Sequence, residues 1–141
     1  MINRIHIVNG PNLNLIGRRE TDIYGTVSLT EYFDSFRDEY LMVQLDHFQS
    51  NHEGYLIDYL HQHGYEVHTG IILNAGGLTH TSVSLRDAIA AIDVPVIEVH
   101  ISDIYTREAF RSHSYLTEVC VESFIGYGLK GYRMAIDFLL V

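Results

Sequence analysis

The chain holds one cysteine, Cys120, and one lysine, Lys130, among its 141 residues. A single cysteine excludes an internal disulfide, and the cytoplasm is the expected compartment. A single lysine, set in a glycine-rich turn, counts against imine chemistry. No apolar run approaches the length of a membrane span, and the N-terminus lacks the basic and apolar regions of a signal peptide. Basic charge is scarce, with 9 Lys and Arg against 18 Asp and Glu and a net charge of −9. That balance argues against sequence-independent binding to nucleic acid. What is present, 47% hydrophobic and 19% charged residues, is the composition of a soluble globular chain. Residues 1–141 are expected to form one domain with a substantial core and no linker, internal repeat or low-complexity tract.

Apolar periodicity alternates between short runs and amphipathic stretches. Ile5, Ile7 and Val8 predict a short buried strand. Ser28-Leu29-Thr30-Glu31 reads as a capping box that opens a helix burying Leu29, Tyr32, Phe33 and Phe36. Val43, Leu45 and Phe48 predict a second strand ending at Gln49, and Ser50-Asn51-His52-Glu53 reads as a second capping box. The helix it opens carries Leu56, Ile57 and Leu60 and stops near Gly64. Ile71, Ile72 and Leu73 suit a strand buried on both faces. A helix over Val83, Leu85, Ala88, Ile89 and Ile92 follows, then a strand at Val96–His100, a strand over 119–125 that Glu122 and Ser123 interrupt, and a closing helix with Leu129, Tyr132, Ala135, Ile136 and Leu139. Strands alternating with helices predict a parallel sheet covered on both faces.

Three loops leave such strands at the same sheet edge and carry most of the chemically useful side chains. The first runs from Val8 to Gly25 and holds Arg18, Arg19 and Tyr24 between Gly17 and Gly25. In an open α/β sheet, ligands bind beyond the carboxyl ends of the strands, so this glycine-hinged segment is a candidate lid. The second loop carries Asn74 and His80, and the third follows Glu98 and His100 with Ile101 and Ser102. A tyrosine is a poor base until its phenol, with a reference pKa of about 10, ionises. Arg19 in the same loop would favour the phenolate, making Tyr24 a candidate base, whereas the plain alternative is a packed ring. Glu98 and His100, two apart on a strand, face the same way. They fit either a carboxylate-oriented general acid or a buried histidine satisfied by a carboxylate. Asn74 before Gly76-Gly77, and the Ile101 and Ser102 backbone, could hold a small anion or could simply shape turns.

Two further patterns carry less. Gly126-Tyr127-Gly128-Leu129-Lys130-Gly131 matches G-x-G-x-x-G, but too little chain follows for a second βαβ half, so it reads as a tight strand-to-helix turn. The nine histidines show no ligand spacing, and His61 and His63 near a helix end are expected at the surface.

Taken together, Asn9-Gly10-Pro11-Asn12-Leu13-Asn14-Leu15-Ile16-Gly17, the Arg19 to Tyr24-Gly25 spacing and Gln49-Ser50-Asn51-His52-Glu53-Gly54 resemble the type II 3-dehydroquinate dehydratase family. So do Asn74 to Ser82, Leu85-Arg86-Asp87-Ala88, Glu98-Val99-His100-Ile101-Ser102 and the stretch from Arg107 to Tyr115. The resemblance implies a flavodoxin-like three-layer sandwich with a five-stranded parallel sheet. It also implies reversible dehydration of 3-dehydroquinate to 3-dehydroshikimate without a metal or organic cofactor. It casts Tyr24 as base, Arg19 as its activator, Asn12 as a stabiliser of the enolate, and His100, oriented by Glu98, as acid. Asn74, Ile101 and Ser102 would bind the carboxylate, His80 and Arg111 would hold ring hydroxyls, and Asp87 would reach a neighbouring subunit's site. Trimers, commonly four to a dodecamer, are implied as the assembly.

Thr21, Asp103, Tyr105 and the Glu122-Ser123 pair depart from the family pattern, and all are expected to lie away from the chemistry. A competing expectation from another class is a flavodoxin-like phosphate or nucleotide binder without catalysis, which would not need Tyr24, Arg19, Glu98 and His100 together.

Overall fold

A computed structural model describes the backbone of residues 1–141 and every side chain except those of Ile23 and Tyr24. Five strands, β1 (Arg4–Asn9), β2 (Gln44–Gln49), β3 (Thr69–Asn74), β4 (Val96–His100) and β5 (Glu122–Ile125), form one sheet in the order β2-β1-β3-β4-β5. Every pairing is parallel. The helical segments are the single turn α1 (Thr21–Tyr24), then α2 (Leu29–Phe36), α3 (Glu53–His63), α4 (Val83–Ala91) and α5 (Lys130–Leu140).

Side-chain alternation along the strands builds the two covering layers. Ile5 and Ile7 of β1, Ile72 of β3 and Val99 of β4 pack with Phe33 and Phe36 of α2 and with Tyr132 and Ile136 of α5. Val8, Ile71, Leu73 and Val96 point the other way, onto Leu56 and Leu60 of α3 and Leu85 and Ile89 of α4. The three-layer flavodoxin-like architecture expected from the sequence is therefore the one observed. From β1 the chain moves out to β2 and then returns past β1 to β3. The sheet's topological switch point thus lies between β1 and β3.

Local detail corrects two of the expectations. Ser28 does cap α2, its hydroxyl accepting the Glu31 N–H at 3.1 Å, but α3 has no such box. Its N-cap is His52, and the Ser50 hydroxyl takes the His52 N–H at 3.0 Å in a tighter local turn. Gly64 does end α3, but with an ordinary φ of −71°. A Cβ there would meet Ile92 Cγ2 at 2.3 Å, so close packing on Ile92 excludes a side chain. Finally, β5 begins at Glu122 rather than Val119, which ends a 3-10 turn over Thr117–Val119. The Gly126–Gly131 segment is the tight turn expected, with Gly126 at φ +88°, where an added Cβ would lie 3.1 Å from Asp103 Cβ. Among the described residues, no helix is long and apolar enough to cross a membrane.

Candidate active site

Because β1, β3 and β4 are neighbours, the loops leaving their carboxyl ends meet over a single cavity of about 150 Å³. The first loop contributes Asn12 and Arg19, and the second contributes Asn74 and His80. His100, Ile101, Ser102 and Arg111 close the third side. The Gln49-Ser50-Asn51 motif at the end of β2 pins the first loop in place. Gln49 Nε2 donates to the Gly10 carbonyl at 3.1 Å, and Asn51 Oδ1 accepts the Asn12 N–H at 2.9 Å. Asn12 itself sits at φ +71°, a left-handed backbone that asparagine tolerates better than most residues.

Glu98 and His100 share one face of β4, and His100 Nε2 lies 2.7 Å from Glu98 Oε2. Glu98 is 1% exposed. A bare carboxylate there would be costly, and three hydroxyls complete its coordination. Ser114 donates to Oε2 at 2.7 Å, while Thr117 and Ser123 donate to Oε1 at 2.6 and 2.8 Å. Burial pushes the carboxyl pKa up, but the His100 contact and the Thr117 and Ser114 hydroxyls outweigh it and hold it at about 2. Glu98 is therefore a fixed anion, and it sets the orientation of the His100 ring. The His80 ring lies nearly parallel to that of His100, with centroids 6.4 Å apart. His80 Nδ1 donates to the His113 carbonyl at 2.8 Å, which leaves Nε2 as the acceptor nitrogen. Burial, reinforced by the nearby His100, lowers the His80 pKa and keeps the ring neutral.

Asn74 ends β3, and a buried chain of hydrogen bonds fixes its amide. Its Nδ2 donates to Tyr132 Oη at 3.0 Å, and the Tyr132 hydroxyl donates on to Asn9 Oδ1 at 2.6 Å. Asn9 Nδ2 then contacts His47 Nε2 at 2.9 Å. Since Nδ2 can only donate, His47 Nε2 must accept, and burial lowers the His47 pKa in keeping with a neutral ring. Asn74 Oδ1 takes the Gly76 N–H at 3.2 Å, so that backbone donor serves Asn74 directly.

Guanidinium groups rim the cavity. Arg19 pairs with Glu20 at 2.7 Å, and Arg111 Nε donates to Glu108 at 2.9 Å with its guanidinium over the Phe110 ring. Arg107, which the sequence reading assigned no role, also lines the cavity and reaches Ser102 Oγ at 3.4 Å. The Tyr24 side chain lies outside the described residues. Asp87 is exposed on α4 and does not line its own chain's cavity.

Sequence reasoning missed the partners that arrange this site. Ser123 was expected to lie away from the chemistry, yet its hydroxyl holds Glu98, and the parallel register that sets Ser123 opposite Glu98 explains why. Asn9 and Tyr132 are separated by 123 positions, and only their polarity within apolar runs hinted at a pairing. His63 is not a free surface residue as expected: it stacks on buried His6 and contacts Glu66.

A parallel sheet of this order with a polar cavity at its switch point defines a flavodoxin-like α/β protein with a small-molecule site. The family profile described as dehydroquinase class II matches residues 3–140, and the chain belongs to that family. A 3-dehydroquinate dehydratase of Halothermothrix orenii is 48% identical over 99% of this chain and 95% of its own. A catabolic 3-dehydroquinase of Phaeosphaeria nodorum is 47% identical, covering 98% and 91%. Among solved structures, a type II dehydroquinase from Butyrivibrio crossotus superimposes with a TM-score of 0.92 at 42% identity, covering 99% of each chain.

Proposed function

We propose that this cavity dehydrates 3-dehydroquinate reversibly to 3-dehydroshikimate through an enolate, with Tyr24 as base and His100 as acid. The observation that carries the reading is the buried Glu98–His100 pair at 2.7 Å facing a cavity that Arg19 also lines. A simple anion-binding module has no need of an anion-oriented imidazole at its wall.

The Tyr24 phenolate removes a proton from the carbon beside the ketone, and the electron pair moves onto the ketone oxygen. The Arg19 cation favours that phenolate by lowering the phenol's pKa. Asn12 stabilises the enolate oxygen. The enolate then re-forms the ketone and expels the hydroxyl two carbons away. His100 gives that hydroxyl a proton, so it leaves as water and the ring becomes a conjugated enone. Glu98 stabilises the imidazolium that donates this proton. Asn74 and the Ile101 and Ser102 backbone hold the substrate carboxylate. His80, as a neutral ring with an acceptor Nε2, and Arg111 hold ring hydroxyls. No metal or organic cofactor is part of this scheme. The active form is a homo-oligomer built from trimers, and Asp87, exposed on α4, reaches the cavity of a neighbouring subunit.

Mixing the protein with 3-dehydroquinate and following the ultraviolet absorbance of the enone tests the reading. A catalytic rise supports it, whereas saturable binding of the same compound without enone formation turns the site into a binding module.

A further inference from the structure

We propose that His6, His63 and Glu66 form a binding site for one divalent transition-metal ion, zinc by the chemistry of its ligands, at the end of the sheet away from the cavity. The three residues come from β1, the last position of α3 and the turn leading into β3, so they lie where strands enter the sheet rather than where they leave it. None of them lines the cavity.

The ligand atoms already converge. His6 Nε2 lies 2.9 Å from Glu66 Oε1, His63 Nδ1 lies 2.8 Å from Glu66 Oε2, and all three groups offer donor atoms within 4.8 Å of one another. In a tetrahedral zinc site with bonds near 2.0–2.1 Å, neighbouring ligand atoms stand about 3.3 Å apart. These two contacts, made to different Glu66 oxygens, each need to open by roughly half an ångström, and the two imidazole nitrogens, within 4.8 Å of each other, must settle to the same spacing. Glu66 can supply this movement because it sits in a half-exposed turn, with 31% of its side chain accessible. Two imidazoles and one carboxylate select zinc, cobalt or nickel over the oxygen-preferring magnesium and calcium, and solvent can supply the fourth ligand.

The surroundings fit a metal-bound histidine. The remaining ring nitrogen of His6, Nδ1, contacts Tyr59 Oη at 2.8 Å, the outer hydrogen bond that orients a ligating imidazole. Tyr59 packs against the His63 ring at 4.4 Å and stacks on Phe48 at 4.3 Å, so the ring positions are set before an ion arrives. Asp46 adds a second carboxylate 3.9 Å from His6 Nδ1. Arg4 lies 3.2 Å from Asp46 and 3.9 Å from Glu66. With Glu66 turned to the ion, Arg4 keeps its shorter contact.

Zinc titration of the whole protein under equilibrium dialysis tests the site, with Co²⁺ as a spectroscopic probe. One Zn²⁺ per chain is expected, with Co²⁺ giving the visible absorption of a tetrahedral site. Outer-shell changes alone typically weaken metal binding about 10–100-fold, so His63→Ala and Glu66→Gln should each lose at least the upper figure. Dehydration activity should be the same with Zn²⁺ as with EDTA. Absence of saturable binding, or wild-type affinity in either variant, overturns the proposal. Should the variants fail to fold, the wild-type protein decides by ring-nitrogen NMR. Zn²⁺ must shift His6 and His63 first among the nine histidines, and a first shift elsewhere contradicts it.

Discussion

Ser123 on β5 donates its hydroxyl to Glu98 Oε1 on β4 at 2.8 Å, across the strand pairing that sets the two residues opposite each other. A residue that breaks the apolar pattern of the last strand thus helps to keep the site's buried carboxylate ionised.

That arrangement predicts an acid-sensitive stability. The Glu98 pKa falls from 4.5 to about 2 on folding, so the carboxylate stabilises the native state fully above pH 4.5. The contribution, about 3 kcal/mol at its full extent, is lost as pH falls through that interval toward 2. Urea unfolding of the wild type and Glu98→Gln at pH 7, 4 and 3 should show the wild type losing more stability than the variant. Ser123→Ala should narrow the difference by raising the pKa. Parallel pH curves for wild type and Glu98→Gln would contradict the assignment.

Tyr132 never touches the cavity, yet its hydroxyl joins Asn74 to Asn9. Tyr132→Phe leaves a buried amide hydrogen and a buried carbonyl oxygen without their partner, each costing about 1–3 kcal/mol of stability. With the amide of Asn74 released, KM for 3-dehydroquinate should rise roughly tenfold, the equivalent of one weakened hydrogen bond, while kcat changes less. Steady-state kinetics on folded variant checks this. An unchanged KM would show that the chain of hydrogen bonds does not position Asn74.

The proposal that Asp87, exposed on α4, completes a neighbouring subunit's site makes its own prediction. Asp87→Ala should raise KM in a protein that still sediments as the wild-type oligomer, and dissociated subunits should bind substrate poorly even when folded. Analytical ultracentrifugation paired with activity measurements decides the matter. A folded monomer with full activity would refute the shared site.

The sheet, its helices and the convergence of the three loops were legible because apolar periodicity and strand-end loops are local signals. Ile71-Ile72-Leu73 could hardly be anything but a doubly covered strand, and Glu98 and His100 had to share a face. What local signals cannot carry is pairing between distant positions. Ser50 looked like a helix cap because its spacing to Glu53 is right, yet the helix is capped two residues later, at His52. His63 looked like a surface residue at a helix end, because nothing near it in sequence names His6 as its stacking partner. Ser123 and Tyr132 were read as an interruption and as core respectively, since their hydroxyl partners lie 25 and 123 positions away.

Tyr24 is the proposed base, and Arg19 is proposed to act through it. The measurement is kcat against pH for the wild type, Tyr24→Phe and Arg19→Ala, with substrate affinity followed alongside. General-base catalysis is worth about 10²–10⁴-fold, so Tyr24→Phe should lose at least that while still binding substrate. Arg19→Ala should lose activity at neutral pH and regain part of it as pH rises, because the phenol then ionises without the cation's help. Tyr24→Phe should show no such recovery. Near-normal turnover in Tyr24→Phe would contradict the account and leave the base to be found elsewhere.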